Sequence, residues 1–298
     1  MRARLLPKQC LMHGRSLVFT GLLGVCLVSN ADAVSFVAPI DESQWDLEES
    51  RFYCKLSQPI PSFGAGTFVH EAGERAVFEL VPTQKGSFSG SIRLVAAASP
   101  WQPGSAPKAI GNIPVTINDR KVVADERYAG EMLASLYGGM FPTFRIPNWL
   151  GSSQSVNVAL SSVNFQKTYL DYAKCVDNLL PVNYRQVART AVLYPPAQWR
   201  LSDATKDRLD LIVEYLKEDD KVRSVYVDGH SDNAGRRLLN RDLSKQRAEE
   251  VTRYLVAQGI SEDLITTRFH GERYPVVPNN TADNRARNRR TTIRLERD

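Results

Sequence analysis

Apolar and polar residues alternate in short segments of the first half of the chain, and this pattern predicts β-strands there. The alternation covers residues 75–81 and 91–95, and it is cleanest in residues 155–160. Proline and glycine clusters, such as that at residues 100–104, separate the segments. One helix is predicted to follow Asn164, where aromatic and aliphatic residues recur at helical spacing before Pro181. Residues 34–180 are therefore interpreted as a mainly β domain.

Strand and helix patterns alternate in the second half of the chain. Strands are predicted at residues 189–194, 222–228, 265–269 and 291–295. Ser202 is a candidate cap for a first helix, and a second helix is predicted at residues 243–258, before Gly259. The order β-α-β-α-β-β predicts a mixed sheet covered by two helices, so that the whole protein is of the α+β class. We place the boundary at Pro181 and the second domain at residues 185–298.

The second helix of this domain carries a charged residue on its apolar side. At about 100° per residue, Arg247 falls within the arc formed by the apolar positions Leu243, Ala248, Val251 and Leu255. A guanidinium group on the buried side of a helix needs a partner. The helix pattern therefore predicts that Arg247 meets either a carboxylate of the protein or a bound anion.

The start of the sequence predicts export from the cytoplasm. Four basic residues precede or flank an apolar run at residues 16–28, and Ala31-Asp32-Ala33 follows it. This arrangement is typical of a cleaved signal peptide over residues 1–33, and it predicts a periplasmic location. The alternatives are an uncleaved membrane anchor and a lipoprotein modified at Cys26. Cleavage would leave 34 basic and 32 acidic residues, so that much of the positive net charge belongs to the signal peptide.

The cysteine content also depends on export. Cys10 and Cys26 lie in the predicted signal peptide, and only Cys54 and Cys175 lie beyond it. Two cysteines in an oxidising compartment are most simply explained by a disulfide bond. Two buried free thiols are the alternative.

Three separated motifs in the second half have the same order as in a known domain. They are GHSDNAG at residues 229–235, NRDLSKQRAEEV at residues 240–251, and NRR at residues 288–290. Together they resemble the OmpA C-terminal-like peptidoglycan-binding domain, over roughly residues 185–298. One departure is the sequence Tyr194-Pro195-Pro196-Ala197, where many members of that family carry an aromatic-acid stretch.

The resemblance implies a ligand and a set of binding residues. Such domains bind the peptide stem of peptidoglycan at diaminopimelate, whose free end carries an ammonium and a carboxylate on one carbon. It implies that Asp232 binds the ammonium, that Arg247 binds the carboxylate in bidentate fashion, and that Asn240 and Leu243 shape the pocket wall. The structural alternative is an Arg247–Asp232 ion pair that holds the helix against the loop.

Motifs of the first half resemble a second family. These are RFYCKL at residues 51–56, QPIPSFGAGTF at residues 58–68, YAKC at residues 172–175 and NLLP at residues 178–181. With the second domain, they resemble the MotY family of periplasmic flagellar motor proteins. The resemblance implies a ring around the flagellar basal body, with a MotX-like ring protein as a partner. The second domain would fasten this ring, and indirectly the stator units, to the cell wall.

Other functions are weighed against this hypothesis. A generic wall-linking envelope protein and a peptidoglycan-remodelling enzyme are the two alternatives. The basic run at residues 285–290 is typical of nucleic-acid binding, but export argues against nucleic acid as a partner. His230-Ser231-Asp232 lacks both a nucleophile elbow and zinc-ligand spacing. We therefore expect no catalytic residues, no metal and no cofactor.

Overall fold

The computed structural model describes residues 34–84, 88–102, 104–149 and 155–298. The predicted signal peptide, with Cys10 and Cys26, lies outside the described residues. Within the described ranges, no helix is long and apolar enough to cross a membrane.

The first half of the described chain contains two five-stranded sheets. The first sheet has the strand order β1 (Val34–Phe36), β10 (Val156–Ala159), β9 (Phe141–Ile146), β6 (Phe88–Ala97) and β7 (Lys108–Asp119). The second has the order β2 (Asp46–Glu49), β3 (Tyr53–Ile60), β4 (Gly64–Glu71), β5 (Val77–Pro82) and β8 (Val122–Ala124). All neighbouring strands are antiparallel except β1 and β10, which are parallel.

Both sheets contribute to one apolar core. Alternate side chains of β4 and β5 are buried, as the period of two in their sequences predicts. Phe78 of the second sheet stacks on Phe144 of the first, with ring centroids 5.5 Å apart. Two helices, α1 (Glu126–Tyr137) and α2 (Phe165–Asp177), pack on this core. The predicted β-rich half is confirmed.

The helices of this half differ from the prediction in two details. Helix α1 was not predicted, although Asp125 caps it and its buried residues Ala129, Met132 and Leu136 have helical spacing. Asn164 precedes α2 as expected, but it does not cap the helix through its side chain. Its backbone is left-handed, with φ 59°, and its side-chain amide donates to the carbonyl of Ser43 at 3.0 Å.

A disulfide bond joins the two ends of this half. Cys54 in β3 is bonded to Cys175 in α2, with a Cα–Cα distance of 6.1 Å and a sequence separation of 121 residues. Both cysteines are buried in the core. The structure thus contains the pairing expected of two cysteines in an oxidising compartment.

The second half is a four-stranded mixed sheet with helices on it, as predicted. Its sheet has the order β11 (Arg189–Leu193), β14 (Arg290–Arg297), β12 (Val222–Gly229) and β13 (Ile265–Phe269), with β12 and β13 parallel. Helix α4 (Asp203–Glu218) follows β11 and is capped by Ser202, and helix α5 (Arg237–Ala257) follows β12. The short helices α3 (Tyr184–Val187) and α6 (Ala282–Asn288) were not predicted.

Helix α5 begins six residues before its predicted start at Leu243. The first turns of this helix expose both leucines, Leu238 at 69% and Leu239 at 61%. These turns therefore have no apolar stripe, and hydrophobic periodicity does not mark their position.

The segment at the predicted boundary packs against both halves. The side-chain amide of Asn183 donates to the carbonyl of Ala72 and to Glu74, both at 3.0 Å, while its carbonyl caps α3. Ala72 and Leu180 belong to the core of the second half, and Phe52 meets Tyr215 edge-on at 5.7 Å. The two halves are therefore joined by a packed contact as well as by the chain.

Removal of the disulfide is expected to destabilise the protein strongly. The chain-entropy model gives about 4–5 kcal/mol for a loop of this length. We expect the Cys54→Ala, Cys175→Ala variant to lose stability of this order in urea unfolding. Non-reducing peptide mapping of periplasmic protein should find the two cysteine peptides linked. Free thiols at both positions would contradict the pairing.

Candidate functional site

The end of strand β12 brings helix α5 unusually close to the sheet. An added Cβ on Gly229 would lie 2.0 Å from the carbonyl oxygen of Ser244, so a larger residue does not fit there. Ser244 is fully buried, and its hydroxyl accepts a hydrogen bond from the amide of Gly271 at 2.9 Å. This close contact fixes the face of α5 that carries Arg247, one turn further along the helix.

Arg247 is the largest fully buried side chain among the described residues, with 0% exposure. Its guanidinium donates to three backbone carbonyls. Nη1 donates to His230 at 2.8 Å, Nε to Gln198 at 2.9 Å and Nη2 to Pro195 at 3.4 Å. Burial lowers the pKa of Arg247 to about 10, so the group remains charged at neutral pH. Three of the five N–H donors of the guanidinium are used in these bonds.

Asp232 has a different partner from the one considered from the sequence. Its Oδ2 accepts from Nη1 of Arg289 at 2.9 Å, and its Oδ1 accepts from the amide of Ala234 at 3.2 Å. Within the described ranges, no ion pair joins Asp232 to Arg247. The direct Arg247–Asp232 pair considered as a structural alternative is therefore not formed.

Tyr194 connects the two arginines. The guanidinium carbon of Arg247 lies 4.9 Å from the centre of the Tyr194 ring, and Nε of Arg289 donates to the Tyr194 carbonyl at 3.0 Å. This cluster thus places two guanidinium groups beside one carboxylate, that of Asp232. Its net charge of about +1 favours the approach of an additional anionic group.

The other two predicted pocket residues lie on α5 before Arg247. Asn240 is buried, and its side-chain amide donates to Glu272 at 2.9 Å. Leu243 is half-buried. The structure thus places all four predicted residues on α5 and the β12–α5 loop, and it connects Asp232 to Arg247 only through Arg289 and Tyr194.

Two histidines lie next to this cluster. His230 stacks on His270 with ring centroids 4.9 Å apart, and Nε2 of His270 is 2.7 Å from Asp228. Burial, and then the charge of Arg290, lowers the pKa of His230 to about 3. Among the described residues, no group of three histidine, cysteine or acidic side chains is arranged to hold a metal ion.

Sequence reasoning missed two members of the cluster, Arg289 and Tyr194. Both depend on strand pairing, because β11 and β14 are antiparallel with Leu193 opposite Arg290. That register places Tyr194 next to Arg289, and their backbones are hydrogen-bonded at 3.0 Å. The NRR motif before the last strand was the available signal for Arg289.

Comparison with known families divides the chain into two matched regions. The family described as the MotY N-terminal domain matches residues 36–181. The OmpA family matches residues 193–289, which include the cluster around Arg247.

The chain is similar to several individual proteins. The sodium-type flagellar protein MotY of Vibrio parahaemolyticus is 31% identical over 287 residues, which cover 94% of this chain and 98% of that protein. The peptidoglycan-binding protein ArfA of Mycobacterium tuberculosis is 39% identical over 93 residues, or 31% of this chain and 28% of that protein. The peptidoglycan-associated lipoprotein from Burkholderia pseudomallei has a solved structure with a TM-score of 0.34 and 24% identity, covering 36% of this chain and 89% of that one.

The buried histidine predicts a loss of stability in mild acid. Burial lowers the pKa of His230 to about 3 in the folded protein, below its ordinary value of 6.5, so the unfolded chain binds more protons between these values. The contribution of His230 to the free energy of unfolding is complete above pH 6.5 and is lost as the pH falls toward 3. We expect the melting temperature to fall between pH 7 and pH 5, and to fall less in His230→Gln. The His70→Gln variant is the control, and equal pH dependence in all three proteins would contradict the assignment.

Proposed function

The chain belongs to the MotY family of flagellar motor proteins and carries an OmpA family domain, and from this premise we propose that it is an exported anchor of the flagellar motor. In this proposal, the protein lies in the periplasm, assembles around the flagellar basal body and binds peptidoglycan. It thereby gives the stator units a fixed support. The observation that carries the proposal is the 31% identity to a flagellar protein over 94% of this chain.

We assign the two activities to the two halves of the chain. Residues 34–180 associate with the basal body, beside a MotX-like ring protein, and residues 185–298 bind the cell wall. The packed junction supports this division, since a load applied to one half reaches the other through non-covalent contacts as well as through the chain. The ion pair between Arg185 and Glu71, at 2.7 Å, adds to the contacts of Asn183 across the junction.

The proposed wall ligand is diaminopimelate of the peptide stem. Asp232 would bind its ammonium, and Arg247 would bind its carboxylate through two N–H donors of the guanidinium. Asn240 and Leu243 would shape the wall of the pocket. The two guanidinium groups beside a single carboxylate support an anionic ligand group at this position.

Access to Arg247 requires a local movement in this proposal. Two of its three hydrogen bonds end on Pro195 and Gln198, in the loop that replaces the usual aromatic-acid stretch. Between them, Ala197 adopts a left-handed backbone with φ 55°, which is uncommon for a residue with a Cβ. We propose that this loop moves aside when the ligand carboxylate reaches Arg247.

Conservative substitutions test the ligand assignment. Arg247→Lys keeps a buried positive charge but loses the planar fork of donors, and Asp232→Asn keeps an acceptor for Ala234 but loses the negative charge. Each variant should bind purified sacculi on the order of tenfold more weakly, because each loses a charge-assisted hydrogen bond. The double variant should be little weaker than either one, since both groups bind one zwitterion.

A matched variant and a stability measurement separate binding from folding. Arg253→Lys lies on the exposed face of the same helix and should bind sacculi normally. Thermal melts of all four proteins show whether weak binding reflects unfolding. Arg247→Ala is a poorer test, because it also removes the donor from three backbone carbonyls, one of which, that of His230, is buried. Normal sacculus binding by a folded Arg247→Lys, Asp232→Asn protein would refute the assignment.

Localisation tests the flagellar part of the proposal separately. A fluorescently tagged protein should gather at the flagellated pole, and it should disperse when the flagellar base is deleted. The Asp232→Asn protein should still reach the base, with reduced swimming. Localisation that does not depend on the base would favour a generic wall-linking protein, and release of muropeptides from sacculi would favour a remodelling enzyme.

A further inference from the structure

A cavity lies beside the proposed wall site, and its lining is strongly basic. It has a volume of about 420 Å³ between the first turns of α5 and the segment after β13. This size is within the range of small-ligand pockets, roughly 300–1,000 Å³. Arg237, Arg241 and Arg273 line it together with a single acidic residue, Glu272.

The three arginines have no carboxylate partner in the described part of the chain. None of them forms an ion pair there, and Glu272 accepts a hydrogen bond from Asn240. Arg237 and Arg241 are four residues apart on one face of the helix, where like charges repel each other. They also lie at the amino-terminal end of a 21-residue helix, whose dipole disfavours positive charge. The arrangement therefore costs folding stability unless an anion is bound.

The cavity shares a wall with the cluster around Asp232. Gly271, which lines the cavity, accepts from the amide of Ser231 at 2.9 Å, and Ser231 directly precedes Asp232. Glu272 lines the cavity and binds Asn240 of the proposed wall site. A ligand that extends beyond the Asp232 site in this direction enters the cavity.

We propose that this basic cavity binds a second carboxylate of the same peptidoglycan stem peptide. The inference rests on the proposed function, and it extends the site from one amino acid to a longer peptide. Arg241 precedes Arg247 by six residues, which places it about 9 Å away along the helix axis and about 120° around it. An extended peptide therefore needs at least about three residues to reach from one arginine to the other. Phe269, which lies 5.3 Å beneath the guanidinium of Arg241, gives the cavity an apolar surface for the peptide backbone and side chains.

Two ligands of different length test the proposal on the full chain from residue 34. Calorimetry is done with free diaminopimelate and with a purified muropeptide whose stem contains it. The Arg237→Ala, Arg273→Ala variant should bind the muropeptide on the order of tenfold more weakly, and it should bind diaminopimelate as the unsubstituted protein does. The Arg237→Lys, Arg273→Lys variant should bind the muropeptide with intermediate affinity, because it keeps the charge.

The control variant changes the net charge by the same amount, at exposed positions away from the cavity. Arg208→Ala, Arg189→Ala should bind both ligands normally. Unchanged muropeptide affinity in the cavity variant would overturn the proposal, and if swimming were then impaired, an acidic protein partner would be indicated instead. Loss of diaminopimelate binding as well would show that the cavity is not a separate subsite. If the unsubstituted protein bound neither ligand, the proposed function itself would fail.

Discussion

The second half of the molecule is organised around a buried positive charge. The guanidinium of Arg247 has no contact with bulk water, so it needs hydrogen-bond acceptors within the protein. These acceptors are carbonyls from two chain segments, the end of β12 and the loop after β11. Helix, strand end and loop are thus held in one arrangement by a single side chain. Arg289, directly before the last strand, joins this arrangement by donating to Asp232 and to the carbonyl of Tyr194.

The junction between the halves is also fixed by specific contacts. Asn183 donates to Ala72 and Glu74, in the turn after β4, while it caps α3, so the linking segment has a defined conformation. Phe52 from the first half also fills a position against Tyr215 of α4. A flexible tether would let two binding domains reorient freely. This junction instead suits a protein that transmits load between two partners.

Periodic patterns made much of this fold predictable, whereas the contacts of the site were less so. The strands β5, β10 and β12 and the helix α4 follow from alternation, helical spacing and a cap. The burial of Arg247 also follows, because it lies within an apolar arc. The hydrogen-bond partners of Arg247 could not be predicted, because they are backbone carbonyls, and every residue type carries a backbone carbonyl. The Asp232–Arg289 pair depends on the register of β11, β14 and β12, which local patterns do not fix.

The disulfide between β3 and α2 also bears on how the protein matures. From residue 34 onward, Cys54 and Cys175 are the only cysteines in the sequence, so oxidation has one possible product. An oxidant is then sufficient, and no isomerase is needed to correct wrong pairings. In the proposed periplasmic location, the bond can close while the second half is still crossing the membrane, because Cys175 precedes that half. The β-rich half can therefore be covalently locked before the wall-binding half has begun to fold.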